Sequence, residues 1–279
     1  MQKHRTSIEF PADLWEELKS RVPPRKRTAF IIDAIKDKLV RESMKCMILC
    51  GGPGAGMGPI TQSIPKPMMP VGYKPIAEHI ILRLKKQGIY NFILAVSHLG
   101  EHLVRYFGDG SSLGVRIDYS FEKVPLGTAG AIKNAERKLN GTFLVVYGDI
   151  LFNEDLDIGK LISFHNEKKA IATMVLAKVE GASRFGLVSI DNEGRVIAFR
   201  EKPRQAVPGL VNAGIYVFDP EIFSYIPSSM PSSLEEDVFP VLADRGKLYA
   251  FVYKGYWVDI GEPEDYEKAC RDFFEGLLD

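Results

Sequence analysis

Cysteine is scarce in this chain: Cys46, Cys50 and Cys270 are the only three among 279 residues. So small a set excludes the disulfide framework of a compact secreted domain. Cys46 and Cys50 stand four apart in one expected strand and so share a face. No second pair of ligands accompanies them, which argues against a zinc site. They read as small buried apolar side chains in a reducing compartment. Long apolar runs are also missing, so no segment is expected to span a membrane. The polar, charged start does not resemble a secretory signal, and a cytoplasmic setting is the expectation. An excess of one charge is missing too, since 36 Lys+Arg offset 36 Asp+Glu. No overall field therefore directs the chain towards nucleic acid or a membrane surface. The balance is uneven: residues 1–43 carry 10 basic and 7 acidic side chains, a net of +3, which leaves −3 for the remainder. Internal repeats and low-complexity segments are absent.

What is present is ordinary globular material, 46% hydrophobic and 26% charged. It suffices for one large α/β domain and a small appendage, with the boundary expected at residues 43 and 44. Over residues 4–10, Thr6, Ile8 and Phe10 alternate with Arg5, Ser7 and Glu9, the pattern of a two-faced strand. Pro11 suits a helix start. Leu14, Trp15, Leu18 and Val22 form a helical stripe, which Pro23-Pro24 ends. Thr28 is placed to cap a second helix whose apolar face is Ile31, Ile32, Ile35 and Leu39. A single copy of so small a unit cannot bury its own core, so pairing with another copy is expected.

From residue 44 the pattern changes. An apolar strand over 47–50 leads into a glycine-rich loop over 51–58. Helices are expected at 76–86, 101–107 and 129–138, alternating with strands at 91–96, 115–121 and 143–146. Strands then dominate, at 171–177, 195–199 and 213–218, before helices at 234–244 and 264–274. This alternation predicts a Rossmann-like, mostly parallel mixed sheet flanked by helices.

The loop Gly51-Gly52-Pro53-Gly54-Ala55-Gly56-Met57-Gly58 has glycines that let backbone N–H groups approach phosphate. As a P-loop it resembles the nucleoside monophosphate kinases through Gly56 but fails beyond, because Met57 takes the place of the lysine and Pro59 that of the metal-binding hydroxyl. As a dinucleotide fingerprint it lacks a third glycine in register. An ordered series of motifs supports another reading. Pro65-Lys66-Pro67-Met68 is followed by Pro125-Leu126-Gly127-Thr128-Ala129-Gly130 and Gly148-Asp149. Ser183-Arg184-Phe185-Gly186, Glu201-Lys202-Pro203 and Asn212-Ala213-Gly214 come next. Glu236-Asp237-Val238-Phe239-Pro240 and Trp257-Val258-Asp259-Ile260-Gly261 close the series. In this order the motifs resemble the sugar-1-phosphate nucleotidyltransferases, or NDP-sugar pyrophosphorylases. The likeness is nearest the mannose-1-phosphate guanylyl- and glucose-1-phosphate uridylyl- or thymidylyltransferase branches, over nearly all of residues 44–279. Residues 5–11 and the two helices after them are similar to a ribbon-helix-helix unit.

The first resemblance implies that a sugar phosphate oxygen attacks the α-phosphorus of a nucleoside triphosphate, releasing pyrophosphate and leaving an NDP-sugar. Such chemistry asks the protein chiefly to align two anions and neutralise charge. By the same resemblance Asp149 and Asp259 hold Mg2+ between the reactants. Lys66 offers a point charge to the triphosphate and Lys202 one to the sugar phosphate. Gly186, Glu201 and Asn212 complete the sugar pocket, while Gly51, Gly52, Glu122 and Gly127 flank the nucleotide. The second resemblance implies a dimerisation module over 1–43, with DNA as a conceivable but not favoured partner, because Glu9 would face the phosphates.

One departure qualifies the series. Family members carry Gly-Thr-Arg in the loop, where this chain has Gly54-Ala55-Gly56. A preorganised donor of that kind is worth about 3–4 kcal/mol in rate. The expectation is a nucleotidyltransferase with an impaired triphosphate clamp. The alternative is a sugar-nucleotide-binding regulator with a DNA- or partner-binding N-terminal module. Arginine restored at position 56 is expected to raise the rate if the loop backbone follows the family path.

Overall fold

A computed structural model describes residues 7–182, 184–201 and 207–278, without the side chain of Asp37. The chain divides into two compact units between Arg41 and Glu42. In the smaller unit, helix Ala12–Arg21 and helix Arg27–Ser43 are joined by the 3-10 turn Pro24–Lys26. That turn runs directly into the second helix, so Thr28 lies inside the helix rather than capping it. Arg27 fixes the corner, its Nε donating to the Val22 carbonyl at 2.9 Å. Leu18 and Val22 are buried, but Leu14, Phe30, Ile32, Ile35 and Leu39 are exposed. Residues 7–10 of the expected strand have no regular structure. Residues 4–6 of that strand lie outside the described residues.

The larger unit is built on a nine-stranded mixed sheet among the described residues. Its parallel block runs Arg116–Phe121, Asn91–Val96, Lys45–Leu49 and Phe143–Tyr147 in spatial order. Both faces of this block are covered, Met47 packing into one core layer and Cys46 and Ile48 into the other. Burial on two sides is why these strands read as nearly unbroken apolar runs. Strand Gly209–Phe218 joins the block antiparallel, beside Phe143–Tyr147. It also pairs with Ala172–Val179, which has Leu248–Tyr253 as its parallel neighbour. Leu187–Ile190 and Val196–Arg200 continue the sheet antiparallel beyond it. The register against Ala172–Val179 shifts between Asn212 and Tyr216. Gly214, at φ +73, takes the positive backbone angle within this bulge.

Helix Ile76–Lys86 and strand Asn91–Val96 form over the expected residues. The helix expected at 129–138 instead starts at Gly127 and stops at Asn134, followed by a 3-10 turn. The helix expected at 234–244 opens as a π turn, Leu234–Val238, before α-helix Phe239–Asp244. Helix Ile158–Lys168 stands outside the expected elements; the Asp157 side chain caps it, and Ile158, Leu161, Ile162 and His165 are buried. Cys46, Cys50 and Cys270 are free thiols. Among the described residues no helix is long and apolar enough to cross a membrane.

Candidate active site

Asp149 and Asp259 are far apart in sequence, and a short ribbon joins them. Strand Trp257–Asp259 pairs antiparallel with Ile150–Phe152, setting Asp259 opposite Ile150. The Ile260 N–H donates to the Asp149 carbonyl at 2.8 Å. Asp149 follows the Phe143–Tyr147 strand, at the carboxyl end where open α/β sheets place their ligands. Gly148 makes this approach possible: a Cβ there would stand 2.7 Å from the Leu49 carbonyl oxygen and 3.1 Å from Pro67. The end of one parallel strand therefore lies directly against the end of its neighbour and the Pro65-Lys66-Pro67 segment. Lys66, only 12% exposed, donates to Asp149 Oδ2 at 2.9 Å. Burial, and then the charge of Asp149, push the Asp259 carboxyl up to about 7, against the opposing pull of Lys66.

The two aspartates border a cavity of about 610 Å³. Gly186, Glu201 and Asn212 line it as well. The Asn212 N–H donates to the Gly186 carbonyl at 2.9 Å. A Cβ on Gly186 would meet Glu201 Oε2 at 2.9 Å, so these three positions form one wall. Lys202 lies outside the described residues. Across the loop, Gly52, Lys66 and Asp149 share a second, smaller hollow. Gly51 is wedged between Ser97 and Glu122, its would-be Cβ 3.0 Å from Glu122 Oε1. Glu122 accepts from the Leu126 N–H at 3.1 Å, and burial raises its carboxyl. Gly127 starts the following helix against the Ser232 carbonyl.

Gly56 overturns one expectation. A Cβ at this position would lie 2.3 Å from the Gly261 carbonyl oxygen, closer than any side chain tolerates. The loop backbone itself rests on the segment after Asp259, so an arginine at 56 has no room to act as a clamp. Arginine restored at 56 is therefore not expected to raise the rate.

The cavity also takes residues that the expected site does not include, two of them, Tyr147 and Glu235, outside the motif series. Arg184 donates to Asp265 through NH1 and NH2, both at 2.8 Å, and pairs with Glu262 at 2.8 Å. Thr128, Tyr147, Glu235 and Glu236 also line the cavity. Their positions depend on the turn after Ser232 packing onto the helix at Gly127, where the Ala129 N–H donates to the Ser232 carbonyl at 3.0 Å. No local pattern in the sequence announces that packing.

Among the described residues no group of three or more His, Cys, Asp or Glu is arranged to hold a metal. Asp149 and Asp259 nonetheless fit magnesium, which takes one or two protein carboxylates and completes its shell from water and substrate phosphates. The raised Asp259 carboxyl marks a repulsion that a divalent cation would relieve.

Comparison with known proteins gives a consistent picture. The family model described as Nucleotidyl transferase matches residues 45–275. A UTP–glucose-1-phosphate uridylyltransferase of Synechocystis sp. is 40% identical over 245 residues, covering 82% of this chain and 63% of that protein. A mannose-1-phosphate guanylyltransferase of Mycobacterium tuberculosis is 38% identical over 242 residues, covering 86% of this chain and 67% of its own length. The chain thus spans less than two thirds of the Synechocystis protein. The crystal structure of HddC from Yersinia pseudotuberculosis complexed with GMP-PN superposes with a TM-score of 0.70 at 32% identity, over 82% of this chain and 99% of that one.

Proposed function

We propose, given that the chain belongs to the nucleotidyl transferase family, that residues 44–279 join a nucleoside triphosphate to a sugar 1-phosphate, forming an NDP-sugar and pyrophosphate. The observation that carries this reading is the convergence of Lys66, Asp149 and Asp259 at the edge of the cavity walled by Gly186, Glu201 and Asn212. Lys66 supplies positive charge beside the glycine loop, where the triphosphate would lie. Glu201 and Asn212 receive the sugar hydroxyls, and Lys202 its phosphate. Asp149 and Asp259 would hold Mg2+, whose chemistry when bound is to neutralise charge on the reacting phosphates. The protein groups otherwise orient the sugar phosphate oxygen for in-line attack and exclude competing water. The three free thiols suit a cytoplasmic, reducing setting.

A thermal-shift panel of nucleoside triphosphates, sugar 1-phosphates and sugar nucleotides, each with and without magnesium, tests the reading. At least one triphosphate should raise the melting temperature, and more so with magnesium, because a ligand at about 100 times its Kd adds roughly 2.7 kcal/mol. A flat panel would contradict it. The close packing at Gly56 favours one second reading, in which sugar nucleotide binds without turnover and the domain acts as a sensor.

Residues 1–43 we propose to be a dimerisation module of the ribbon-helix-helix kind, in which residues 6–10 of two copies pair antiparallel. The exposed Phe30, Ile32, Ile35 and Leu39 support this, since a lone copy leaves them in water. Light scattering on a chain beginning at Met44 should give a smaller assembly than the full chain, and equal assemblies would remove the dimer. Duplex DNA, a less favoured partner, would bind with an affinity that falls steeply with salt.

A further inference from the structure

Two successive side chains join the sugar wall of the cavity to the segment that carries Asp259. Arg184 reaches the start of the last helix, Pro263–Phe274. Its Nη1 and Nη2 donate to Asp265 Oδ2 and Oδ1, each at 2.8 Å, and Nη1 also pairs with Glu262 Oε2 at 2.8 Å. Both carboxylates are themselves held, because Glu262 and Asp265 form the capping box of that helix. A planar guanidinium meets such a carboxylate in one orientation. Next in the chain, Phe185 packs edge-on against Trp257, with ring centroids 5.4 Å apart. Gly186 follows, and its carbonyl accepts the Asn212 N–H. Trp257 closes the connection from the other side, its Nε1 donating to the Ala213 carbonyl at 3.0 Å.

Trp257 and Glu262 bracket Asp259 in sequence. The two contacts of Trp257 tie the wall to the chain before Asp259, and among these ties only the Arg184 fork acts after it. The fork is also close to the carboxylate. A Cβ on Gly261 would meet Asp259 Oδ1 at 2.9 Å, Asp265 Oδ2 at 3.6 Å and Arg184 Nη1 at 3.9 Å, so all three groups face one small space. A carboxylate tied on one side can swing against the wall, whereas one tied on both sides moves with it. A cation that drew Asp259 towards Asp149 would then draw Gly186 and Asn212 as well.

We infer that Arg184 is a positioning residue that locks the sugar wall to the Asp259 segment, so that magnesium and sugar 1-phosphate each tighten the binding of the other. This rests on the proposed assignment of the metal to Asp149 and Asp259 and of the sugar to the wall. The coupling is reciprocal by thermodynamic necessity. The Arg184 side chain is 41% exposed, and a partly exposed ion pair adds little to stability, so its loss should show in the coupling and not in the fold.

The test uses the full chain and Arg184→Lys. Lysine keeps the charge, and with it the direct attraction between magnesium and phosphate, but cannot make the two-pronged contact. Calorimetry with glucose 1-phosphate and mannose 1-phosphate, in EDTA and in magnesium, gives the factor by which the metal tightens each. That factor should be about ten-fold or more in wild type and fall at least about three-fold in Arg184→Lys. A merely structural role would weaken both conditions alike and leave the factor unchanged. Asp265→Asn keeps an oxygen for the cap but cannot accept both prongs, and combined with Arg184→Lys it should lower the factor no further, because residues in one contact are not additive.

Hydrogen exchange with magnesium alone reads the same lock without sugar. Magnesium should slow exchange at 257–265 and at 184–190 in wild type. In Arg184→Lys the slowing should persist at 257–265, which also shows the variant folded, and fall by about half or more at 184–190. An unchanged magnesium factor, slowing at 184–190 that survives in the variant, or slowing confined to 257–265 in wild type would each overturn the inference. A wild type with no slowing at 257–265 would refute the metal assignment and the coupling with it. A wild type that bound neither sugar phosphate would refute the sugar assignment, and exchange with magnesium alone would then decide whether Arg184 ties the wall to Asp259.

Discussion

Asp259→Asn should stabilise the metal-free protein while lowering turnover by about 1,000-fold or more. The stabilising half follows from linkage. Burial and the charge of Asp149 raise the Asp259 carboxyl from 3.8 to about 7 in the folded state. Between those values the native state binds more protons than the unfolded chain, so stability is greatest below about pH 4 and falls as pH rises through 7. The loss is complete above that point. After allowance for partial exposure and screening it is worth on the order of 1–2 kcal/mol. Asparagine keeps the shape and removes the charge, so the difference between variant and wild type should grow from pH 4 to pH 8. Thermal melts in EDTA across that range check it, and parallel curves would contradict the assigned repulsion. Loss of turnover follows because the amide is a poorer ligand and leaves the phosphate charge less screened.

Gly56→Arg should bring no gain, and the protein should become less stable and no faster. The side chain must displace the Gly261 carbonyl, 2.3 Å from its Cβ, in the segment that follows Asp259. Forced overpacking of this kind costs roughly 1–3 kcal/mol, and here it would also shift a proposed metal ligand. Gly56→Ala separates the two effects, since it adds the clash without the charge. Both variants should melt lower and show kcat/KM at or below wild type. A folded Gly56→Arg protein about a hundred-fold faster than wild type would mean that the loop reopens along the family path, with the missing donor its sole defect.

Much of the parallel block was legible because strands buried on two faces are apolar throughout, as at Phe143–Tyr147 and Asn91–Val96. Helix Ile158–Lys168 has its apolar stripe and its Asp157 cap in the sequence as well. The pairing of Asp149 with Asp259 could be named only through motif resemblance. The ribbon that joins them has strands of three residues each, too short for any periodicity to register. Gly56 shows the opposite limit. From sequence it is a missing side chain, whereas in space it is a contact with a carbonyl 205 positions away, between residues 56 and 261. Glu235 belongs to the same class, since its partners at 128 and 147 reach it only through tertiary packing.

Pyrophosphate release is the most direct test of the nucleotidyltransferase reading. Purified full-length protein would be given each of the common nucleoside triphosphates with glucose 1-phosphate or mannose 1-phosphate, with magnesium and then with EDTA. One triphosphate and sugar phosphate pair should release pyrophosphate and yield the matching sugar nucleotide. That release should vanish in EDTA and fall about 1,000-fold or more in Asp149→Asn. Release that persists undiminished in Asp149→Asn, or no release from any pair while sugar nucleotides still bind, would contradict it.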